Sequence, residues 1–158
     1  MKETLPQRKS IRLREYDYTQ VAYYFITICI KNRVNILGEI IKDCRGEHCS
    51  SAKMKLSYEG ETVKKYLKII HKKYDNIIID EYIIMPNHIH MILAITEQKN
   101  ISVSKIIQQY KGIVTKELGY SIWQKLFYEH VIRDEKEYYL IKEYIKNNVI
   151  NWEEDKYF

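Results

Sequence analysis

Glycine and proline are scarce, with 5 Gly and 2 Pro in 158 residues. So few chain breakers exclude collagen-like, low-complexity and bulk-disordered classes and point to a chain of regular elements. Cysteine is scarce as well. Its 3 copies are an odd number and Cys29 falls inside an apolar strand pattern, so a reducing cytoplasm is the expected setting. No apolar run reaches the length of a membrane span, because Lys31, Lys42 and Asp80 interrupt the candidates. The segment from Met1 to Arg14 is polar and basic without an apolar stretch, so it is not expected to be a secretory signal.

What the chain does have is 46% hydrophobic and 30% charged residues, a globular balance that at this length predicts one domain with a real core. The net charge of +5 is compatible with a polyanionic partner without requiring one. Tyrosine is plentiful at 15 copies. Most of these are expected at the rim of the core, although a tyrosine can also stack on bases or act as a nucleophile.

Residues 1–20 read as a basic arm around Arg8, Lys9, Arg12 and Arg14, either a disordered tail or a nucleic-acid contact, ahead of a single domain over 21–158. Ala22 to Ile30 predicts the first strand, and Val34 to Ile41 a short second one. The loop Cys44-Arg45-Gly46-Glu47-His48-Cys49 suggests zinc, but no second ligand pair follows at finger spacing, and a variable hairpin loop is the expectation. Ser57 caps a helix to about Tyr74, with Val63, Tyr66, Leu67, Ile70 and Tyr74 as its apolar stripe. Asn76 to Met85 and His88 to Ile95 form two strands about a Pro86-Asn87 turn. Ser102 caps a helix that Gly119 stops, Leu126 to Ile132 is another strand, and Asp134 with Glu137 starts a last helix to about Asn148. This order predicts an α+β, ferredoxin-like split βαβ fold (βαββαβ): an antiparallel sheet with two helices on one face, plus a C-terminal helix.

The chemistry centres on Met85-Pro86-Asn87-His88-Ile89-His90. Strand alternation puts His88 and His90 on one face, while Ile89, Met91, Leu93 and Ile95 form the apolar opposite face. Two adjacent imidazoles are half of a metal site, but a chance His-x-His pair is common enough that a third ligand is needed. On the last helix Tyr144 and Asn148 lie one turn apart on one face. An amide oxygen from Asn148 would complete a cation site, with Tyr144 beside it. From periodicity alone, Tyr144 reads sooner as a core residue packed with Ile141 than as a nucleophile.

The chain resembles the single-tyrosine transposases of the HUH class (His-hydrophobic-His), particularly the REP-associated tyrosine transposases. The resemblance rests on several blocks: Arg8–Leu13, Tyr24–Cys29, Asn32-Arg33, the Met85–His90 block, Trp123-Gln124, Tyr128–Glu135, and Tyr144–Asn148 followed by Asn151–Asp155. Val149 stands where the family often has proline, which is expected to let the last helix run on. The resemblance implies that His88, His90 and Asn148 bind a divalent ion, Mg²⁺ or Mn²⁺. It implies that Tyr144 attacks single-stranded DNA, at hairpin or palindromic repeats, to give a 5′-phosphotyrosine and a free 3′-hydroxyl. Imidazole chemistry alone suits zinc or nickel at least as well, so the ion follows from the resemblance. His130 matches a histidine of the family and reads either as a hydrogen-bonded structural histidine or as support for the active site, and Lys111 is expected to contact phosphate together with the arm.

Such a division of labour suits a phenol. Its pKa near 10 makes the phenolate cost about 4 kcal/mol at neutral pH, and a cation on the phosphate offsets several kcal/mol. Two other functions compete: a non-catalytic RNA-recognition-like module, which lacks its aromatic signature here, and a replication-initiator-type nuclease, normally a larger chain. Monomer and homodimer both remain open.

Overall fold

The computed structural model describes residues 16–43 and 51–152. The arm residues Arg8, Lys9, Arg12 and Arg14 and the Cys44–Cys49 loop lie outside them. The main sheet has four antiparallel strands: β1 (Ala22–Cys29), β4 (Ile77–Ile84), β5 (His88–Ile95) and β6 (Tyr128–Ile132), in the order β4-β5-β1-β6. Helices α1 (Tyr58–Lys73) and α2 (Val103–Leu118) complete the βαββαβ core, and α3 (Glu135–Asn147) follows it. The fold is therefore the α+β split-βαβ arrangement expected from the sequence.

Local signals explain the helices. Ser57 Oγ accepts from Gly60 N at 3.1 Å, Ser102 Oγ from Lys105 N at 3.3 Å, and Asp134 Oδ1 from Glu137 N at 2.8 Å. Glu59 and Glu61 open α1 and His71, Lys72 and Lys73 close it, so charge matches the helix dipole at both ends. Gly119 ends α2 with φ at +80°, a left-handed conformation that glycine adopts at little cost.

One sheet face packs on α1 and α2. There Tyr24, Ile26 and Ile28 of β1 and Ile89, Met91 and Leu93 of β5 meet Leu67, Ile106, Ile107 and Val114. Burying such a side chain contributes about 1.5–3 kcal/mol, so this layer dominates the stability. The other face is covered by α3, where Phe25, Ile92, Ile132 and Ile145 form a second, smaller cluster. Polar contacts fix α3 to β4 as well: Asp80 accepts from the Tyr138 hydroxyl at 2.7 Å and from Lys142 Nζ at 3.1 Å.

Four expectations change. Val34–Leu37 is not strand. The second strand is β2 (Gly38–Asp43), and it pairs with β3 (Ser51–Leu56) in a ribbon separate from the main sheet. The packed domain starts before residue 21, because Tyr16 and Tyr18 lie against the core, with their rings 6.4 and 6.2 Å from that of Tyr24. The β6 strand begins at Tyr128 rather than Leu126, since Lys111 Nζ holds the carbonyls of Gln124 and Leu126 outside the ladder. The last helix does not run on past Asn148. Val149 and Trp152 bury against Met85 and turn the chain over the sheet, where Asn151 N reaches Asn147 O at 3.1 Å.

Candidate active site

His88 and His90 stand at the first and third positions of strand β5, behind Pro86-Asn87, and both are fully buried. Their Nε2 atoms converge to 3.0 Å. Two ring nitrogens this close need a shared proton or a cation between them. Each ring is oriented from behind. Asn87 Oδ1 accepts from His88 Nδ1 at 2.7 Å, while Asn87 Nδ2 donates to the Arg33 carbonyl at 3.4 Å, which fixes the amide the right way round. His88 Nε2 is then the lone-pair nitrogen. On the neighbouring strand Thr27, the register partner of His90, puts its Oγ1 2.8 Å from His90 Nδ1.

Aromatic rings wall the pair. Phe25 stacks on His90 at 5.3 Å between centroids, and Trp152 on His88 at 6.0 Å. From α3 the Tyr144 hydroxyl comes to 3.2 Å from His90 Nε2, with its ring at 39% exposure in reach of solvent. One turn on, Asn148 is buried, and its Oδ1 has no hydrogen-bond partner. An orphaned buried acceptor costs about 1–3 kcal/mol, so a site that keeps one has a use for it. Among the described residues no group of three His, Cys, Asp or Glu side chains could hold a metal ion. Two imidazole nitrogens on β5 and an unsatisfied amide oxygen at the end of α3 are donor types that a divalent cation takes.

His130 lies on the same sheet face, as the register partner of Phe25. Its Nε2 bonds to Glu137 Oε1 at 2.6 Å, so it ties β6 to the start of α3. Glu137 also accepts from Arg133 N at 2.8 Å, and these bonds hold its carboxyl below the usual range. Lys111 is engaged too. Its ammonium donates to the carbonyls of Gln124 at 2.9 Å and Leu126 at 3.3 Å, and burial draws its pKa down to about 8. This lysine braces the loop between α2 and β6. Sequence reasoning missed Thr27, Phe25, Asn87 and Trp152. Asn87 alone carried a local signal, by its place next to His88, and the others depend on register or on the final turn.

No family model matches the chain. An uncharacterized protein of Haemophilus influenzae is 36% identical to it, over 96% of this chain and 93% of that one. Among solved structures, a REP-associated tyrosine transposase bound to a REP hairpin superposes with a TM-score of 0.67 at 20% identity, covering 89% of this chain and 73% of that one. A candidate transposase from Deinococcus radiodurans R1 gives a TM-score of 0.51 at 16% identity, covering 86% and 95%. Among the described residues no helix is long and apolar enough to cross a membrane.

Proposed function

We propose a DNA strand-transfer function for this chain, which belongs to one family with the Haemophilus influenzae protein and has the fold of a REP-associated tyrosine transposase. It cleaves and rejoins single-stranded DNA with Tyr144 as the nucleophile. The observation that carries this reading is the Tyr144 hydroxyl at 3.2 Å from a histidine whose Nε2 faces a second Nε2 at 3.0 Å. That the solved transposase was bound to a REP hairpin makes hairpin-forming DNA the substrate to try first.

In this reading His88, His90 and Asn148 hold a divalent ion, Mg²⁺ or Mn²⁺, whose chemistry when bound is to neutralise charge on the scissile phosphate. Tyr144 Oη forms a bond to phosphorus as the bond from phosphorus to the 3′-oxygen breaks. The phenolic proton goes to solvent, and the departing oxygen takes up a proton to become a 3′-hydroxyl. The Phe25 and Trp152 rings keep the imidazoles from turning, and Thr27 and Asn87 hold their far nitrogens. Because phenolate is a good leaving group, a 3′-hydroxyl can reverse the step and rejoin strands. An RNA-recognition role is disfavoured, since the sheet face such a module would offer lies under α3.

The test uses 3′-labelled hairpin DNA with Mn²⁺, resolved on a denaturing gel. The expected result is a protein–DNA adduct that Tyr144→Phe abolishes. An adduct that survives Tyr144→Phe, or its absence over a broad panel of hairpins, overturns the reading.

A further inference from the structure

Asp80 occupies an irregularity in the edge strand β4. The ladder to β5 pairs Ile79 with Leu93 and then Glu81 with Ile92, so Asp80 is the extra residue of a β-bulge. In a regular strand only one of two consecutive side chains can face a given side. The bulge turns both carboxylates toward α3. Asp80 accepts from the Tyr138 hydroxyl at 2.7 Å and from Lys142 Nζ at 3.1 Å, and Glu81 lies 3.8 Å from Lys146 Nζ. On either side of the bulge the alternation changes phase. Ile79 and Tyr82 both pack with the main core, and Ile83 with the cluster beneath α3.

These bonds matter because α3 has a thin apolar footing. Ile145 is its one buried residue, whereas α2 buries Val103, Ile106, Ile107, Tyr110 and Val114. Apolar burial is non-directional, so a single side chain does not set how far a helix is turned about its axis. Hydrogen bonds have preferred angles and do set it. Around α3, Tyr138, Lys142 and Lys146 recur every fourth residue and form the flank over β4. Glu137, Tyr144 and Asn148 form another flank, on the far side of Ile141 and Ile145.

Lys142 Nζ also donates to the Tyr138 hydroxyl at 2.9 Å, which closes a three-membered network with Asp80. The Asp80 and Lys142 side chains are only 27% and 24% exposed, so salt screens the pair less than it would on an open surface. The lever from this network to the chemistry is short, since Lys142 precedes Tyr144 by two residues. Turning α3 by about 20° carries a side-chain tip about 6 Å from its axis through roughly 2 Å. A shift of that size undoes the 3.2 Å approach of the Tyr144 hydroxyl to His90 Nε2.

We propose that Asp80 is a positioning residue for Tyr144, its bulged carboxylate fixing the turn of α3 that places the hydroxyl over the histidines. The inference rests on the strand-transfer reading, and its test separates the two.

The full chain carries 3-fluorotyrosine at position 144, and its fluorine resonance is recorded for the parent sequence, Asp80→Ala and Asp80→Asn. Single-turnover adduct formation with hairpin DNA and Mn²⁺ is timed for the same proteins without the label, and hairpin affinity is measured in EDTA. In Asp80→Ala the resonance is expected to move toward its unfolded-chain position, and the adduct rate to fall about 10–100-fold. Hairpin affinity is not weakened, the sign of an interaction needed for the reaction rather than for binding. Asp80→Asn keeps an oxygen of the same reach and recovers part of both losses. Adding Lys142→Ala to Asp80→Ala lowers the rate no further, because its partner is already gone. An unchanged adduct rate in Asp80→Ala overturns the positioning role and leaves the strand-transfer reading standing. So does a rate lost while the resonance stays in place. A parent chain that forms no adduct over a broad panel of hairpins overturns the strand-transfer reading, and the role of Asp80 with it.

Discussion

Thr27 Oγ1 sits 2.8 Å from His90 Nδ1, across a strand pair in which the two residues are register partners. Both side chains are fully buried, so the bond cannot be replaced by water. Thr27→Val keeps the shape and removes the oxygen. It leaves the imidazole nitrogen unsatisfied, and the expected loss of stability is about 1–3 kcal/mol. The ring also loses its orienting partner, and metal affinity is expected to fall about 10–100-fold. Urea unfolding in EDTA measures the first effect, and Mn²⁺ titration the second. Unchanged Mn²⁺ affinity in a folded variant would mean that Thr27 does not orient the ring.

Asn148 carries the opposite expectation for stability. Its buried Oδ1 has no partner, so the amide is a burden on the metal-free fold. In EDTA, Asn148→Ala is expected to cost less than about 1 kcal/mol, because the lost packing is offset by removal of the orphan. With Mn²⁺ present the order changes. The wild-type melting temperature rises, and the variant is expected to gain clearly less. Equal gains in the two proteins would remove Asn148 from the ligand set.

Capping is local, and so the helices were legible. Ser57, Ser102 and Asp134 each announce a helix within four residues, and Gly119 its end. The alternation after Pro86 likewise placed His88 and His90 on the face away from the main core. Cross-strand register is not local, since it depends on where distant strands meet. That is why Thr27 and Phe25, though on a strand that the sequence predicted, did not declare themselves as neighbours of His90. The ribbon was half missed because β3 pairs only with β2, outside the main sheet. Lys111 read as a phosphate contact because its partners, the carbonyls of Gln124 and Leu126, belong to a loop whose path the sequence does not specify.

Lys111 gives a test that separates bracing from phosphate contact. Its ammonium bonds two carbonyls and has phosphate-like acceptors already in hand. Lys111→Met keeps the buried stem and removes the charge. Stability is expected to drop by about 1.5 kcal/mol, the value of hydrogen bonds from a charged donor. The slope of DNA affinity against salt should stay as in the wild type, whereas loss of a phosphate contact would lower it by about 0.7. Salt titration by fluorescence anisotropy decides between the two.

Glu137 predicts how the last helix responds to acid. Its carboxylate accepts from Arg133 N at 2.8 Å and from His130 Nε2 at 2.6 Å, and both bonds favour the charged form. The folded pKa therefore lies below the unfolded value of about 4.3. The stabilisation is present in full above that unfolded value and is lost as pH falls through the folded one. Glu137→Gln removes the charge but keeps an acceptor. At pH 7 it is expected to unfold about 1 kcal/mol more easily than the wild type. Below pH 4 the gap should close, because the wild-type carboxyl is then becoming neutral as well. Urea unfolding of the pair at several pH values cancels the other carboxylates and isolates this one. A gap that holds constant down to pH 3 would mean that the bonds to Arg133 and His130 do not depend on the charge.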